Sequence, residues 1–284
     1  MLTVTAPAKL NLFLHILGRR ADGYHQMESL VAFAALADQL TIEESDALSL
    51  AVEGEFATQA GAGEGNLVLR AAQALRAHAG VVRGVRLTLM KHIPVGAGLG
   101  GGSADAAAAL RGLNQFWKLG IGEVALHAIA ATLGADVPMC LASTPALAHG
   151  IGTELTPLPH GMPPLYALLV YPRAALLTKD VYAAFTLAPP VPAWQPPVGA
   201  DAAAWLAALE GTANHLQAAA LALSQPVAAV LQALNALRPK ASLVRMTGSG
   251  ACCFALYANE AMAEEAAHAL KAERPEWWIT ATNI

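Results

Sequence analysis

Charge is scarce in this chain. Only 13% of its 284 residues are Asp, Glu, Lys or Arg, the net charge is −4, and no basic cluster is longer than Arg19-Arg20. An extended nucleic-acid footprint needs clustered Lys and Arg, so no nucleic-acid partner is expected, although a single phosphate site is compatible with this balance. Cysteine is scarcer still: Cys140, Cys252 and Cys253 are all there are. An odd number with two adjacent makes no disulfide framework and fits a reducing compartment. Long apolar runs are missing too. Spanning a bilayer takes roughly 18 apolar residues, and the densest stretch, Pro163 to Leu177, is broken by Pro172 and Arg173. No membrane segment is expected. Met1 to Lys9 has no basic flank ahead of a long apolar core, so no signal peptide is expected either, and the chain reads as cytoplasmic. No His, Cys, Asp and Glu spacing suggests a tightly held metal.

What is present is alanine, which dominates a hydrophobic share of 55%. That share rules against disorder. The length allows one large domain or two modest ones. Thr3 to Ala6 reads as a first strand, and Gln39 to Glu44 and Ala47 to Val52 alternate as half-buried strands do. Asn66 to Ala79 has helical apolar spacing with Arg70 and Arg76 outward. Val85 to Met90 reads as a strand that Pro94 stops. Gly96 to Gly102 reads as loop, with Ser103 as N-cap of a helix from Ala104 to Leu113, and a second helix follows from Gly122 to Leu133.

Between Ala142 and Pro164 the chain gathers Ser, Thr, Gly and five prolines, which reads as turns and a crossing between domains. Leu165 to Tyr171 is a buried strand candidate, and Pro189 to Pro197 a loop. Ala202 to Leu209 and Val227 to Leu237 read as helices, and Cys252 to Tyr257 as a strand. The expected class is α+β in two domains, residues 1–152 and 153–284, both needed for one site.

The segment richest in chemistry is His92-Ile-Pro-Val-Gly-Ala-Gly-Leu-Gly-Gly-Gly-Ser-Ala-Asp105, with five glycines in the seven positions 96–102. Glycine permits positive φ and close approach of an anion. The following helix offers unpaired N–H groups and the positive end of its dipole. A plain surface loop is the bland alternative, and the placement between a strand and a helix weighs against it. A Walker A loop needs Gly-Lys-Ser/Thr, and no lysine follows these glycines. Gly96, Gly98 and Gly101 satisfy G-x-G-x-x-G, but Pro94 separates them from the strand, and Glu123 lies in a helical pattern, unlike a dinucleotide fold.

Pro94-Val-Gly-Ala-Gly-Leu-Gly-Gly-Gly-Ser103 resembles the phosphate loop of the GHMP kinases, the family of galactokinase, homoserine kinase and mevalonate kinase. Pro7-Ala-Lys-Leu-Asn-Leu12 resembles that family's first motif, and Arg245-Met-Thr-Gly-Ser-Gly-Ala251 its third. Three motifs in order over most of the chain are far more specific than one. The resemblance implies a two-domain architecture with an ATP-binding N-terminal domain and the active site in the cleft between domains. Gly18-Arg-Arg-Ala-Asp-Gly-Tyr-His25, Gly134-Ala-Asp-Val-Pro138, Thr178-Lys-Asp-Val-Tyr182 and Asn214 narrow it to the members whose acceptor alcohol carries a cytidine diphosphate group.

The roles that follow are implied by the resemblance. Lys9 and Asp136 would flank the acceptor hydroxyl, Asp136 accepting its proton and Lys9 keeping Asp136 ionised and balancing developing charge. The alternative for Asp136 is an N-cap on the segment at Val137-Pro138, which does not exclude catalysis. Pro94, Gly96, Gly98, Leu99, Gly100, Gly101, Gly102 and Ser103 would hold ATP phosphates, with Asn66 near the adenine. Asn11 would support the Lys9–Asp136 pair. Tyr24 would stack on cytosine, His25 would bond its polar edge, and Tyr182 would close its other face. Gly248, Ser249 and Gly250 would approach the substrate near Lys9. Taken singly, the Tyr24-His25 pair is better explained by a turn. Magnesium would arrive with ATP, touching Ser103. Ala104 stands where many relatives carry a second serine. Asp105, read as lying in the first turn of its helix, would repel phosphate unless it points away or helps to hold Mg²⁺. The expected state is a monomer or weak homodimer. The alternatives are another small-alcohol kinase of the family, a decarboxylase that phosphorylates first, or a non-catalytic nucleotide sensor.

Overall fold

The computed structural model describes every residue except Ala188, Pro190 and Ala200. The residues gather into two compact units that interleave along the chain: 1–9, 36–95 and 100–144 form the first, and 10–35, 96–99 and 145–284 the second. Two long strands, β1 (Leu2–Arg19) and β2 (His25–Glu44), contribute residues to both.

The first unit adds β3 (Leu48–Glu53), α1 (Ala57–Ala60), α2 (Leu67–Ala79), β4 (Val85–Met90), α3 (Gly101–Phe116), α4 (Glu123–Leu133) and α5 (Val137–Ala142). Within it β4 pairs antiparallel with the end of β2, Gln39 opposite Met90 and Glu44 opposite Val85, and parallel with β3. Val85, Leu87 and Leu89 are fully buried while Arg86 is exposed, the period of two that a half-buried strand requires. On α2 the buried positions are Val68, Ala71, Ala72 and Leu75, one helical stripe. α3 packs closely because its inner face is small. A methyl group on Gly112 would lie 2.6 Å from Ile42 Cδ1 and 3.0 Å from Val4 Cγ2.

The second unit adds β5 (Ala146–His149), β6 (Glu154–Pro157), β7 (Tyr166–Tyr171), α6 (Thr178–Ala184), α7 (Ala202–Glu210), α8 (Gln217–Leu223), α9 (Gln225–Ala236), β8 (Leu243–Met246), β9 (Cys253–Tyr257), α10 (Glu260–Glu273) and β10 (Trp278–Asn283). β10, β7, β9 and β8 form an antiparallel sheet in that order. Ala167 to Val170 and Cys253 to Leu256 are fully buried, as continuous apolar runs predict. α10 buries Ala263, Ala266, Ala267 and Leu270 and leaves Glu264 and Glu265 exposed. β5 and β6 form a hairpin, and β5 pairs with the first part of β2, Ser29 opposite Ala148.

Mixed α and β content agrees with the sequence, and the helices expected at 66–79, 122–133, 202–209 and 227–237 lie within two residues of their places, as do four of the six expected strands. Several features differ, among them β2, which begins at His25 and not Gln39, and the helices α1, α6, α8 and α10 and strands β8 and β10, which had no counterpart in the sequence reading. The stretch from Ala142 to Pro164 is not all turn: it holds the β5–β6 hairpin and the end of α5. The first strand runs on through Pro7 to Arg19, so the first motif lies on a strand. Phosphate-loop residues Gly101 and Gly102 are helical, and the N-cap of α3 is Gly100 rather than Ser103. Asp105 is consequently the fifth residue of α3 and stands beyond its first turn. Of the Pro189–Pro197 loop, Pro190 is outside the described residues, and the rest carries no helix or strand. No single helix among the described residues is long and apolar enough to cross a membrane.

Candidate active site

In the first unit, Lys9 on β1 and Asp136 ahead of α5 meet. Lys9 Nζ lies 3.4 Å from Asp136 Oδ2, with the lysine side chain 7% and the carboxylate 44% exposed. Asp136 occupies the N-cap position of α5, yet its side chain makes no capping hydrogen bond. A carboxylate that leaves the cap unmade and stands half open beside a buried ammonium is free to meet a hydroxyl. Cys140, one turn later, takes no such part, since burial pushes its thiol up to about 12.

The phosphate loop reaches this pair. Gly100 has φ +65°, and a methyl group there would lie 3.2 Å from both Cβ and Cε of Lys9. Only glycine supplies that backbone and that closeness together. No side chain caps α3, so its first N–H groups remain available to an anion. A capping serine would have occupied one of them. Ser103 instead sits half-buried in the first turn. Leu99 is 1% exposed, so its side chain belongs to the core and only its backbone belongs to the loop. Pro94 is likewise buried, whereas Gly96 and Gly102 are exposed.

Asp105 points away from the loop. Its Oδ2 is 2.8 Å from Lys91 Nζ, which also bonds Asp38. Asp38 in turn accepts from the backbone N–H of His92 (2.5 Å) and Ile93 (2.8 Å), tying the segment before the loop in place. All three side chains are buried. Burial raises the Asp105 pKa, Lys91 draws it back and the Asp38 charge raises it again, leaving it at about 8. This cluster of Asp38, Lys91 and Asp105 had no signature in the sequence, because it is made of contacts between residues 14 to 67 positions apart.

Asn66 caps α2. Its Oδ1 accepts from Val68 N (2.9 Å) and its Nδ2 donates to Gly61 O (2.7 Å). A methyl group on Gly102 would come within 3.7 Å of the adjacent Leu67, which sets the start of α2 beside the loop.

In the second unit, residues of all three motifs adjoin. Asn11 N donates to Thr247 Oγ1 (2.8 Å), and Asn11 Nδ2 donates to Ser29 Oγ (2.7 Å). A methyl group on Gly248 would lie 3.2 Å from Asn11 Oδ1. Gly98 has φ +82° and comes so close to the third motif that a methyl group on it would lie 2.5 Å from Gly250 O. Cys252 N donates to Ala97 O (2.9 Å) beside it. Asn214 fastens the third motif through Nδ2 to Met246 O and Gly248 O, both at 2.7 Å. Arg245 donates to Leu12 O, Leu209 O and both Thr212 oxygens.

His25 and Tyr182 come together, ring centres 5.2 Å apart. Tyr24 stands 62% exposed. Burial and the Arg19 charge lower the His25 pKa, which favours a neutral imidazole able to donate and accept. Phe185 was missed, and Thr178, named only as the start of the segment ending at Tyr182, was given no role. Phe185 sets its ring edge-on to His25 at 5.7 Å, and its spacing of three from Tyr182 on a helical pattern was the available signal. Thr178 Oγ1 pairs with Ser249 Oγ at 2.8 Å.

Residues 66–144 match the GHMP kinases N terminal domain, and residues 200–276 match the GHMP kinases C terminal domain. The chain belongs to the GHMP kinases. A 4-diphosphocytidyl-2-C-methyl-D-erythritol kinase of Rhodopseudomonas palustris is 46% identical over 290 residues, covering 98% of this chain and 96% of the relative. One of Parvibaculum lavamentivorans is 47% identical over 283 residues, with the same coverage. A crystal structure of a 4-(cytidine 5'-diphospho)-2C-methyl-D-erythritol kinase is 36% identical with a TM-score of 0.83, covering 99% of this chain and 98% of that one. Within the GHMP kinases, the chain falls in the family of the 4-diphosphocytidyl-2-C-methyl-D-erythritol kinases.

Proposed function

We propose that this chain transfers the γ-phosphoryl group of ATP to the 2-hydroxyl of 4-diphosphocytidyl-2-C-methyl-D-erythritol, giving the 2-phosphate and ADP. The step belongs to the non-mevalonate route to isoprenoid precursors. The Lys9–Asp136 pair beside Gly100 is the observation that carries the reading. Phosphoryl transfer asks a protein mainly for positioning and for stabilisation of charge. Asp136 takes the hydroxyl proton, and Lys9 orients that carboxylate and offsets charge on the transferring group. The uncapped first turn of α3, with Gly96, Gly98, Gly100, Gly101, Gly102 and the Ser103 hydroxyl, holds the phosphates. Pro94 and Leu99 fix the loop from the core, and Asn66 sets the start of α2 by the adenine. Magnesium would come with ATP, with the Ser103 hydroxyl as the residue placed to touch it, and would neutralise charge on the phosphates.

On the acceptor side, His25 bonds the cytosine edge while Tyr24 and Tyr182 offer aromatic faces, each base–aromatic stack being worth about 1–3 kcal/mol. Asn11, Gly248, Ser249 and Gly250 bind the acceptor. We assign ATP binding to residues 1–152 and completion of the substrate site to 153–284, a division the two family matches support by falling on either side of it. The protein acts in the cytoplasm as a monomer or weak homodimer, without nucleic acid or membrane.

The test is ADP release from Mg-ATP with the cytidylyl acceptor, beside mevalonate, homoserine and galactose. Turnover of the cytidylyl acceptor alone supports the reading. Turnover of another alcohol instead would sink the roles of Tyr24, His25 and Tyr182.

A further inference from the structure

Asp136 depends for its aim on α5, a helix of only six residues. So short a helix has no stability of its own, and its last carbonyls have no partners within it. Ser143 Oγ reaches Cys140 O at 2.8 Å. The strongest tie comes from α3. Arg111 Nη1 donates to Cys140 O (2.6 Å) and Leu141 O (3.0 Å), while Nη2 donates to Thr5 O (2.9 Å). Thr5 lies on β1, four residues ahead of Lys9. One planar guanidinium therefore grips the element that carries Asp136 and the element that carries Lys9, and it does so from the helix that begins at the phosphate loop.

We propose that Arg111 is a positioning residue for phosphoryl transfer, bracing β1 against α5 so that Lys9 and Asp136 keep their separation. This rests on the reading of Lys9 and Asp136 as the reacting pair. Three properties suit arginine to the task. Its fork is rigid, so the two nitrogens fix the angle between the strand and the helix end as well as their spacing. Its charge makes the bonds to carbonyls stronger than neutral ones and complements the C-terminal end of the α5 dipole. Its stem rises from α3, whose alanine face is buried in the core. The surrounding core, with Ala6, Ala8, Val137 and Cys140 all fully buried, holds the elements together without Arg111. What the core does not fix is the last fraction of an ångström, and a misplacement of about 1 Å can cost roughly a hundredfold in rate. Lysine at this position could satisfy one of the two elements but not both.

The test compares Arg111→Met, Arg111→Lys and Asp136→Asn with the parent enzyme, all assayed with Mg-ATP and the cytidylyl acceptor well below the Tm of each variant. The expected result for Arg111→Met is a kcat lower by roughly ten- to a hundredfold, with the KM for ATP unchanged because the start of α3 is untouched. Arg111→Lys should fall between the parent and Arg111→Met. Should the methionine variant fail to fold, the lysine variant decides, since it keeps the charge and one bond. Parent-like kcat in Arg111→Lys and Arg111→Met, with Asp136→Asn inactive, overturns the brace and leaves the catalytic pair standing. A fall in kcat matched by an equal rise in the KM for ATP also overturns it, because that pattern reports a displaced phosphate loop. Full turnover by Asp136→Asn would instead remove the reading on which the brace rests.

Discussion

Asp105 carries a proton that an exposed aspartate would have lost. Burial and the neighbouring Asp38 charge outweigh the pull of Lys91 and set its pKa at about 8, against an ordinary 3.8. Its Oδ1 has no hydrogen-bond partner among the described residues, an arrangement a neutral carboxyl tolerates better than a carboxylate. Between about pH 4 and pH 8 the folded protein therefore holds a proton that the unfolded chain releases. Stability from this group is full below the unfolded pKa and is lost as pH rises through 8. Asparagine cannot ionise, so Asp105→Asn should gain on the parent as pH rises. Thermal melts at pH 5 and pH 8.5 check this: the Tm difference should move in favour of the variant, and a difference independent of pH would contradict it. Sequence showed Asp105 but not its partners. Asp38 lies inside β2 and Lys91 just past the end of β4, and only folding brings them to it.

At the scale of elements, caps explain both what the sequence revealed and what it hid. The α2 boundary was legible because Asn66 is a good N-cap and takes that role. The α3 boundary was misread by the same rule. Ser103 is also a good N-cap by type, but Gly100 turns the chain through the left-handed region and the helix starts two residues before the serine. The β5–β6 hairpin was hidden by its Ser, Thr, Gly and Pro content, which reads as turn until a neighbouring strand is there to pair with it. Removing the α2 cap tests the scheme. Asn66→Ala loses the bond from Val68 N and the one to Gly61 O, and should cost about 1–2 kcal/mol. A lower urea midpoint with unchanged slope is the expected result. An unchanged midpoint would mean that the cap bond adds nothing to the fold.

Across the whole molecule, the three motifs were the most legible feature, because each must keep particular residue types against a neighbouring backbone. Lys9 and the glycines lie within these motifs, whereas Asp136 lies in the separate segment Gly134-Ala-Asp-Val-Pro138. Arg111, Lys91 and Asp38 were not legible, since each works through contacts that no local pattern encodes. Buried His15 couples the fold to acid pH. His15 is 3% exposed, its Nε2 accepts from Ala213 N (3.2 Å), and its ring lies 4.9 Å from that of His215. Burial first, then the charges of His215 and Arg245, lower its pKa to about 4. A neutral His15 favours the fold above pH 6.5, and that contribution is lost as pH falls from 6.5 toward 4, on the order of 2–3 kcal/mol. His15→Gln keeps an acceptor for Ala213 and should flatten the fall in Tm between pH 6.5 and pH 4.5. An unaltered slope would place the acid-sensitive group elsewhere.

The Lys9–Asp136 pair as the centre of phosphoryl transfer is tested most directly by comparing Asp136→Asn with the parent in two measurements on the same samples, calorimetric binding of Mg-ATP and turnover of the cytidylyl acceptor. Unchanged ATP affinity with turnover reduced by at least about a hundredfold is the predicted result. Near-parental turnover would contradict it.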